Sequence, residues 1–474
     1  MIEFILNNKT IRTETKSGMT LLDFVRYQQR LTGTKIGCRE GDCAACTALV
    51  GTLNSNGSID YQSITSCISP LGNAQGKHIV TIEGVNLTNE LNVAQEAMKR
   101  NYATQCGFCT PGFALSLTGF AFSEKEKNYD NVLAAISGNI CRCTGYKSIE
   151  RAAKEVAEQL SDIESDNKIS WLVKNRFIPE YFLDIPHRLE KISHNVKNSR
   201  KPLLVVSGGT DLYVQRPESL IEEDVFLVAS EQKFKGIHIK QNRCFIGANT
   251  TVTEFWNNLH IQKMFPKLDR HLTLVSSEPI RNMASFGGNL VNASPIGDMT
   301  IFFLALNSTV TLKKDNSKRQ ILLKDFYQGY KTYDLQEGEV LSEISFEVLL
   351  PDTSFNFEKV CKRTYLDIAS VNTAISVELS NTGSIVSAHV AMGGVSPIPK
   401  YLQKTSEYLA GKSLDVLTIA LAAEILQEEI SPISDVRGTK EYKRLLARQL
   451  FMAHFTELFP NKFKLQDFLT HAAS

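Results

Sequence analysis

Residues 37–46 read Gly37-Cys38-Arg39-Glu40-Gly41-Asp42-Cys43-Ala44-Ala45-Cys46. The cysteines are spaced C-x4-C-x2-C, and Cys67 follows with twenty residues between it and Cys46. That is the spacing of a plant-type [2Fe–2S] site. Two bridged irons need four thiolates around a small anionic core. One tight loop can supply three, and a neighbouring strand end the fourth. Such a loop passes close to sulfide and aims N–H groups at sulfur, which tunes the potential. Gly37 and Gly41, with the small Ala44 and Ala45, permit that approach. Structural zinc prefers two separate C-x2-4-C hooks, whereas the two such spacings in this loop share Cys43.

The flanks agree with a small sheet that carries the loop. Ile2, Phe4 and Leu6 alternate, Asn7-Asn8-Lys9 turns, and Ile11 and Thr13 return, as in a hairpin. Thr20 with Asp23 reads as a capping box before the helically spaced Leu21, Phe24, Val25 and Leu31. A strand follows from Thr47 to Val50. Strands, a helix and a cysteine loop together suggest a β-grasp domain like that of plant-type ferredoxins.

A second cysteine set lies beyond it. Cys106 and Cys109 stand in Gln105-Cys106-Gly107-Phe108-Cys109-Thr110-Pro111-Gly112, and Cys141 and Cys143 follow with 31 residues between Cys109 and Cys141. The surrounding pattern is helical. Helices are expected over 92–102, from Pro111 in a first turn, over 131–137 and over 149–160. Four thiolates between helices suit a second [2Fe–2S] cluster. Taken alone, this set leaves zinc as a rival. Beside the first set, an electron-transfer pair is the better reading. Eight of the ten cysteines fall in the first 143 residues, and only Cys244 and Cys361 lie beyond.

Further along, a buried-strand candidate at 203–206 runs into Ser207-Gly208-Gly209-Thr210-Asp211. A second turn, Ser285-Phe286-Gly287-Gly288-Asn289, precedes Ser294-Pro295-Ile296-Gly297-Asp298. Glycine turns expose N–H groups to phosphate oxygens, and two would suit a dinucleotide's pyrophosphate. Asp298 is suited to accept from ribityl hydroxyls. A Gly-Gly pair is equally that of an ordinary turn. There is no G-x-G-x-x-G, and Gly411-Lys412-Ser413 lacks the earlier P-loop glycine because position 406 is Ser. That segment reads as an exposed helix end.

The chain of 474 residues suggests about three domains. With 43% hydrophobic and 22% charged residues it has a soluble, globular composition, and its net charge of +1 gives no reason to expect nucleic acid or a membrane surface. No run of about 18 apolar residues suggests a membrane span. No secretory signal is read at the N-terminus, so a cytoplasmic location is expected. A polar linker is expected at 161–170. Helices are expected from Val252 and over 301–306. A boundary near Pro351 precedes strands at 357–362, 374–379 and 385–392 and helices at 416–429 and 441–456.

The cysteine motifs resemble those of the molybdenum hydroxylases. The 37–46 loop resembles their GCxEGxCGxC, with Ala44 where the family usually has Gly. Residues 105–112 match QCGFCTPG, and Gly138-Asn139-Ile140-Cys141-Arg142-Cys143-Thr144-Gly145-Tyr146 matches GNxCRCTGY. The glycine turns resemble the family's two FAD turns. The resemblance runs from about residue 2 to 460, in the domain order of the small subunit of xanthine dehydrogenases.

It implies an α+β multidomain chain. A β-grasp ferredoxin-like domain at 1–85 is followed by a four-helix [2Fe–2S] domain at 86–160. After the linker come an α+β FAD domain at 171–350, of the vanillyl-alcohol-oxidase and xanthine-dehydrogenase type, and an α+β C-terminal domain at 351–474. It implies two [2Fe–2S] clusters, on Cys38, Cys43, Cys46 and Cys67 near the flavin and on Cys106, Cys109, Cys141 and Cys143 toward molybdenum. FAD falls to Val205, Val206, Ser207, Gly208, Gly209, Thr210, Asp211 and Leu212, then to Ser285, Gly288, Asn289, Ser294, Asp298 and Leu341. Lys359 matches a lysine near the isoalloxazine, although outside the family it reads as a surface lysine. Val275 stands where relatives place a phenylalanine over the flavin, and residues 364–367 diverge where relatives approach NAD. The implied function is an oxidoreductase subunit that passes electrons from molybdenum through both clusters to FAD and NAD⁺. The molybdopterin cofactor would lie on a large partner subunit, in an (αβ)2 heterotetramer. The alternatives are the same role in an aldehyde or N-heterocycle hydroxylase, or a redox sensor or zinc scaffold without catalysis.

Overall fold

The computed structural model describes residues 1–163, 167–192, 204–223, 225–363 and 366–469. The chain is α+β and forms two compact units. Met1–Gln232 with Ser277–Ala284 makes the first, and Lys233–Ser276 with Ser285–Ser474 the second.

In the first unit the opening hairpin forms as its alternation requires: Ile2–Leu6 pairs antiparallel with Lys9–Thr13. Ile2–Leu6 also pairs parallel with His78–Val80, which continues through Thr47–Leu53 to Ile59–Thr65. Thr20 Oγ1 accepts the Asp23 N–H and donates to Asp23 Oδ2, so the capping box is made. After Leu21–Asp23 the helix widens into a π-turn over Phe24–Gln28. Phe4, Leu22 and Phe24 pack between this turn and the sheet. This is the expected β-grasp.

Four helices follow, Val93–Arg100, Thr110–Phe122, Tyr129–Ile136 and Lys147–Gln159. Asn92 and Gln95 close a capping box on the first. Thr110–Phe122 is apolar on nearly every face and is therefore the central helix. Its Phe122 stacks on Tyr61 of the sheet with centroids 4.4 Å apart. Sheet and helices thus share one core.

The expected linker ends early, because Lys168–Lys174 is already helical and buries Leu172. Residues 164–166 and Leu203 lie outside the described residues. The strand expected at 203–206 forms as Leu204–Val206, but it is not a buried strand. Among the described residues it pairs only with Val225–Leu227, and Val205 is 43% exposed. A two-stranded ribbon leaves one face open.

The second unit contains a five-stranded antiparallel sheet in the order Ser317–Leu322, Thr309–Lys314, Val340–Glu347, Arg243–Gly247, Ile237–Lys240. The helix from Val252 ends at Trp256, and Leu259–Met264 and Leu268–Thr273 follow as separate turns. Asp298–Leu304 is buried from Met299 onward. A second antiparallel sheet runs Thr353–Val360, Val371–Leu379, Ile385–Gly393, Lys400–Tyr401 and packs against Val416–Glu429 and Lys440–Leu458.

Among the described residues, three histidines, His78, His271 and His454, are buried and form no ion pair. His78 shares hydrogen bonds with Tyr61 Oη and Asn7 O, and His454 with Asn356 and Thr373. Burial pushes His78 and His454 down to about 3 and His271 to about 4. An unfolded histidine titrates near ~6.5. Below that pH the unfolded chain binds protons that the folded chain refuses, so stability is full above it and falls with acid. The expected loss is at most ~1.4 kcal/mol per pH unit for each histidine. With Trp171→Phe, Trp256 becomes the sole tryptophan and reports the second unit. Its urea midpoint should fall between about pH 7.5 and about pH 5.5, and His454→Gln should flatten that dependence. An unchanged slope would contradict the burial argument.

Candidate functional site

The first cysteine loop is coiled by its backbone. Arg39, Gly41 and Ala44 all have positive φ, at 61°, 76° and 49°. Ala44 therefore occupies a left-handed position in which a Cβ costs ~1 kcal/mol, which explains why glycine suits this place in relatives. A Cβ at Gly37 would press on Cys43 Sγ, and one at Gly41 on Ile68. The Arg39 guanidinium grips both oxygens of Asp23 at 3.0 and 2.7 Å and ties the loop to the helix cap.

Side-chain contacts link the four cysteines one to the next, Cys43 to Cys38, Cys38 to Cys67 and Cys67 to Cys46. Cys38 N–H points at Cys43 Sγ at 3.4 Å, and Glu40 N–H at Cys38 Sγ at 3.3 Å. Hydrogen bonds from Cys43, then Cys67, hold the Cys38 thiol far below its ordinary range. The bond to Cys67 likewise lowers Cys46. Cys46 and Cys67 are buried, while Cys38 and Cys43 reach the surface. Contacting pairs Cys38–Cys43 and Cys46–Cys67 are a donor set that fits a [2Fe–2S] core, in which each iron takes two thiolates.

The second set is also paired. Cys143 and Cys106 stand 3.6 Å apart at the surface, and Cys109 contacts the buried Cys141. Cys141 is further fixed by Thr144, whose Oγ1 lies 3.2 Å from its sulfur, and by Tyr146 Oη, which accepts its N–H at 3.1 Å. Tyr146 adopts φ 68° to turn the chain into Lys147–Gln159. This set fits a [2Fe–2S] core as well. Among the described residues no three His, Cys, Asp or Glu side chains converge as a single-ion site would require.

The two loops touch. Ile140 N–H donates to the carbonyl of Cys43 at 3.1 Å, and Asn139 Nδ2 to that of Ala44 at 3.2 Å. Ser116 Oγ holds Asn139 from behind at 2.8 Å. A ligand residue of one set is thus hydrogen-bonded to the neighbour of a ligand in the other. The motifs implied no such bond, because it joins residues 97 positions apart.

The first glycine turn, also in the first unit, is braced on two sides. A Cβ at Gly208 would overlap the Met283 carbonyl, and Gly209, at φ 83°, faces the carbonyl of Ile68 beside Cys67. Asn73 Nδ2 donates to Ser207 O at 2.9 Å. Val206 is buried under the turn, and Leu212 opens the short helix Leu212–Gln215 past Thr210 and Asp211.

The second turn belongs to the second unit. Ser285 caps Phe286–Val291, its Oγ accepting the Gly288 N–H at 3.2 Å. Asn289 Oδ1 accepts from Thr300, and Ser294 Oγ from Ile296 N–H at 3.4 Å. Asp298 Oδ2 pairs with Lys359 Nζ at 2.7 Å, and its Oδ1 accepts from Asn372 Nδ2 at 2.6 Å. Lys359 also donates to Leu274 O at 2.8 Å, next to the buried Val275. The Lys359 side chain is 1% exposed, so the surface-lysine reading is wrong: the ion pair draws the ammonium inward. Leu341 is buried, paired with Leu312 across the sheet. Thr364 and Tyr365 lie outside the described residues. The sequence reading missed Asn372, for which the one signal is a polar Asn-Thr pair in an otherwise apolar strand.

Four family models match in series. A 2Fe-2S iron-sulfur cluster binding domain covers 4–71, and a [2Fe-2S] binding domain 81–154. An FAD binding domain in molybdopterin dehydrogenase covers 183–347, and a CO dehydrogenase flavoprotein C-terminal domain 357–458. The chain is 26% identical to xanthine dehydrogenase of Emericella nidulans, over 96% of this chain and 38% of that protein. It is 25% identical to aldehyde oxidase 1 of Rattus norvegicus, over 97% and 39%. The chain therefore spans about two fifths of the length of the curated relatives it matches. A carbon monoxide dehydrogenase structure from Hydrogenophaga pseudoflava shares the fold, with a TM-score of 0.51 at 21% identity over 55% of this chain and 90% of that one.

Cys141→Ser should remove one of two [2Fe–2S] EPR signals from the dithionite-reduced protein and leave the other. Loss of neither would sink the second set. Gly208→Ala should weaken the first unit by ~1–3 kcal/mol, the usual cost of overpacking. Urea unfolding followed through Trp171 checks this, and an unchanged midpoint would mean that the Met283 contact is not tight.

Proposed function

The chain belongs to the molybdenum hydroxylase family, and from that premise we propose that it is the electron-transfer part of such an enzyme. In this reading electrons leave a molybdenum centre on a large partner and pass through the Cys106 and Cys38 sets to FAD, with NAD⁺ as the final acceptor. The overall balance is R–H + H2O + NAD⁺ → R–OH + NADH + H⁺. Clusters supply single-electron transfer, and FAD joins single electrons into a hydride.

One observation carries the reading: the Ile140 N–H to Cys43 carbonyl bond, which couples two four-cysteine sets directly. A structural metal site has no need of a second site wired to it. The chain's own residues would hold the cofactors in place. Backbone N–H groups of Cys38 and Glu40 face sulfur, and such donors favour the reduced, more negative cluster. Ser207 to Asp211 with Val205, Val206 and Leu212, and Ser285 to Asp298 with Leu341 and Lys359, are assigned to FAD on their motifs. The five-segment division at 1–85, 86–160, 161–170, 171–350 and 351–474 is kept as a proposal about domains.

Xanthine is the substrate we favour for the partner, since the similarity extends through both cluster motifs to xanthine dehydrogenases. The match to an aldehyde oxidase at nearly the same identity supports an aldehyde or N-heterocycle hydroxylase as the second reading. An (αβ)2 assembly in the cytoplasm completes the proposal. No described helix is long and apolar enough to cross a membrane.

Tagged protein isolated anaerobically from its own host should carry a large molybdopterin-binding partner and reduce NAD⁺ with the partner's substrate. A stable chain that purifies alone, with no such protein at any ionic strength, would contradict the proposal. Asp298→Ala should weaken FAD retention, and full flavination of that variant would remove Asp298 from the flavin site.

A further inference from the structure

Asn372 is fully buried on Val371–Leu379, in the middle of the second sheet of the second unit. Across the sheet it stands opposite Lys359 on one side and Gly393 on the other. Direct cross-strand neighbours share a face, so Lys359 and Asn372 approach Asp298 together. Lys359 takes Oδ2 and Asn372 takes Oδ1. The amide also donates to Ile296 O at 3.2 Å, and Gly394 N–H holds Pro295 O at 2.9 Å. The 294–298 loop is thereby fastened to the sheet. Gly393 is part of the device: a Cβ there would overlap Asn372 Oδ1. That oxygen has no hydrogen-bond partner among the described residues, so the amide is retained for what its nitrogen does.

The chemistry explains the choice of side chain. A buried lysine–aspartate pair is stable only if the remaining lone pairs and protons are satisfied. A neutral amide satisfies Oδ1 without adding charge. A second carboxylate would leave the cluster net negative, and an apolar residue would leave Oδ1 bare. Lys359 spends one N–H on Asp298 and one on Leu274 O. Its third N–H has no acceptor among the described residues.

We propose that Asn372 is a positioning residue: by clamping Asp298 it keeps Lys359 a buried ammonium with one N–H directed to a ligand carbonyl. That the ligand is a flavin rests on the function proposed above. The clamp itself is a property of the unliganded chain.

The test uses the full-length chain with Asn372→Leu and Asn372→Asp. Lys359 reactivity toward an amine-acylating ester is mapped by mass spectrometry without added flavin. Lys443, 3% exposed and paired with Asp435 in the same unit, is the control for an intact fold. Wild-type Lys359 should resist acylation. Asn372→Leu should speed it at least about tenfold, the scale of one charge-assisted hydrogen bond, while Lys443 stays protected. Asn372→Asp should keep Lys359 protected, because a second carboxylate favours the unreactive ammonium, which separates loss of the Asp298 clamp from a change of charge. The other titratable groups near Lys359 are Cys361, Asp367 with Arg363, and Glu358 with Arg270. They are unchanged in both variants, so the wild type gives their contribution. In flavin-loaded protein, Asn372→Asp should lower the flavin midpoint potential, because it adds negative charge. Equal Lys359 protection in all three proteins, with equal flavin potentials, would overturn the clamp and leave the flavin site standing. Faster Lys359 acylation in Asn372→Leu, together with a wild-type chain that binds no flavin, would uphold the clamp and reject the flavin.

Discussion

The hydrogen bond from Ile140 to the Cys43 carbonyl is a small interaction on which much of the first unit depends. A net ~1 kcal/mol is typical for such a bond, yet this one requires two loops to meet at backbone distance. Gly112 makes room, since a Cβ there would press on Ala44 O. Asn139 fills the remaining gap, held by Ser116 from the central helix. That helix is in turn fixed by Phe122 against Tyr61 of the sheet. The shared core between sheet and helices is therefore what aligns the two cysteine sets.

Both loops follow one rule: a buried or charged contact keeps the loop still. The first cysteine loop is held by Arg39 on Asp23. The first glycine turn is held by Met283, on a segment that returns to the first unit from far along the sequence. Ser277–Ala284 brings more than Met283. Asn282 donates to Ser63 O at 2.8 Å, and Glu278 pairs with Lys125 at 2.8 Å. A few residues of the later chain are thus built into the unit that carries both cysteine sets, and the second glycine turn begins at the next residue, Ser285.

Local chemistry was legible in the sequence. Thr20 with Asp23, and Pro111, each start a helix for a reason contained within four residues. The helix expected at 416–429 forms as Val416–Glu429. Alternation marked the opening hairpin because one face of Ile2–Leu6 meets Phe24 and Ile68. What failed was non-local. The apolar residues before Ser207 suggest a buried strand, but burial depends on partners that the sequence does not reveal. Lys359 read as exposed because its partner, Asp298, is 61 residues away. Asn372 drew no attention because a lone buried amide has no spacing signature. The cysteine sets were readable for the opposite reason: metal chemistry imposes its spacing on the chain.

The central claim is that two dinuclear clusters and one flavin belong to this chain, and composition tests it most directly. Iron, zinc and flavin analysis with a visible spectrum, on protein isolated without oxidants, is the measurement. The account predicts about four irons and one flavin per chain, with red-brown absorption and almost no zinc. A colourless protein holding zinc at the cysteine sets and no flavin, with cofactor loss excluded, would contradict it.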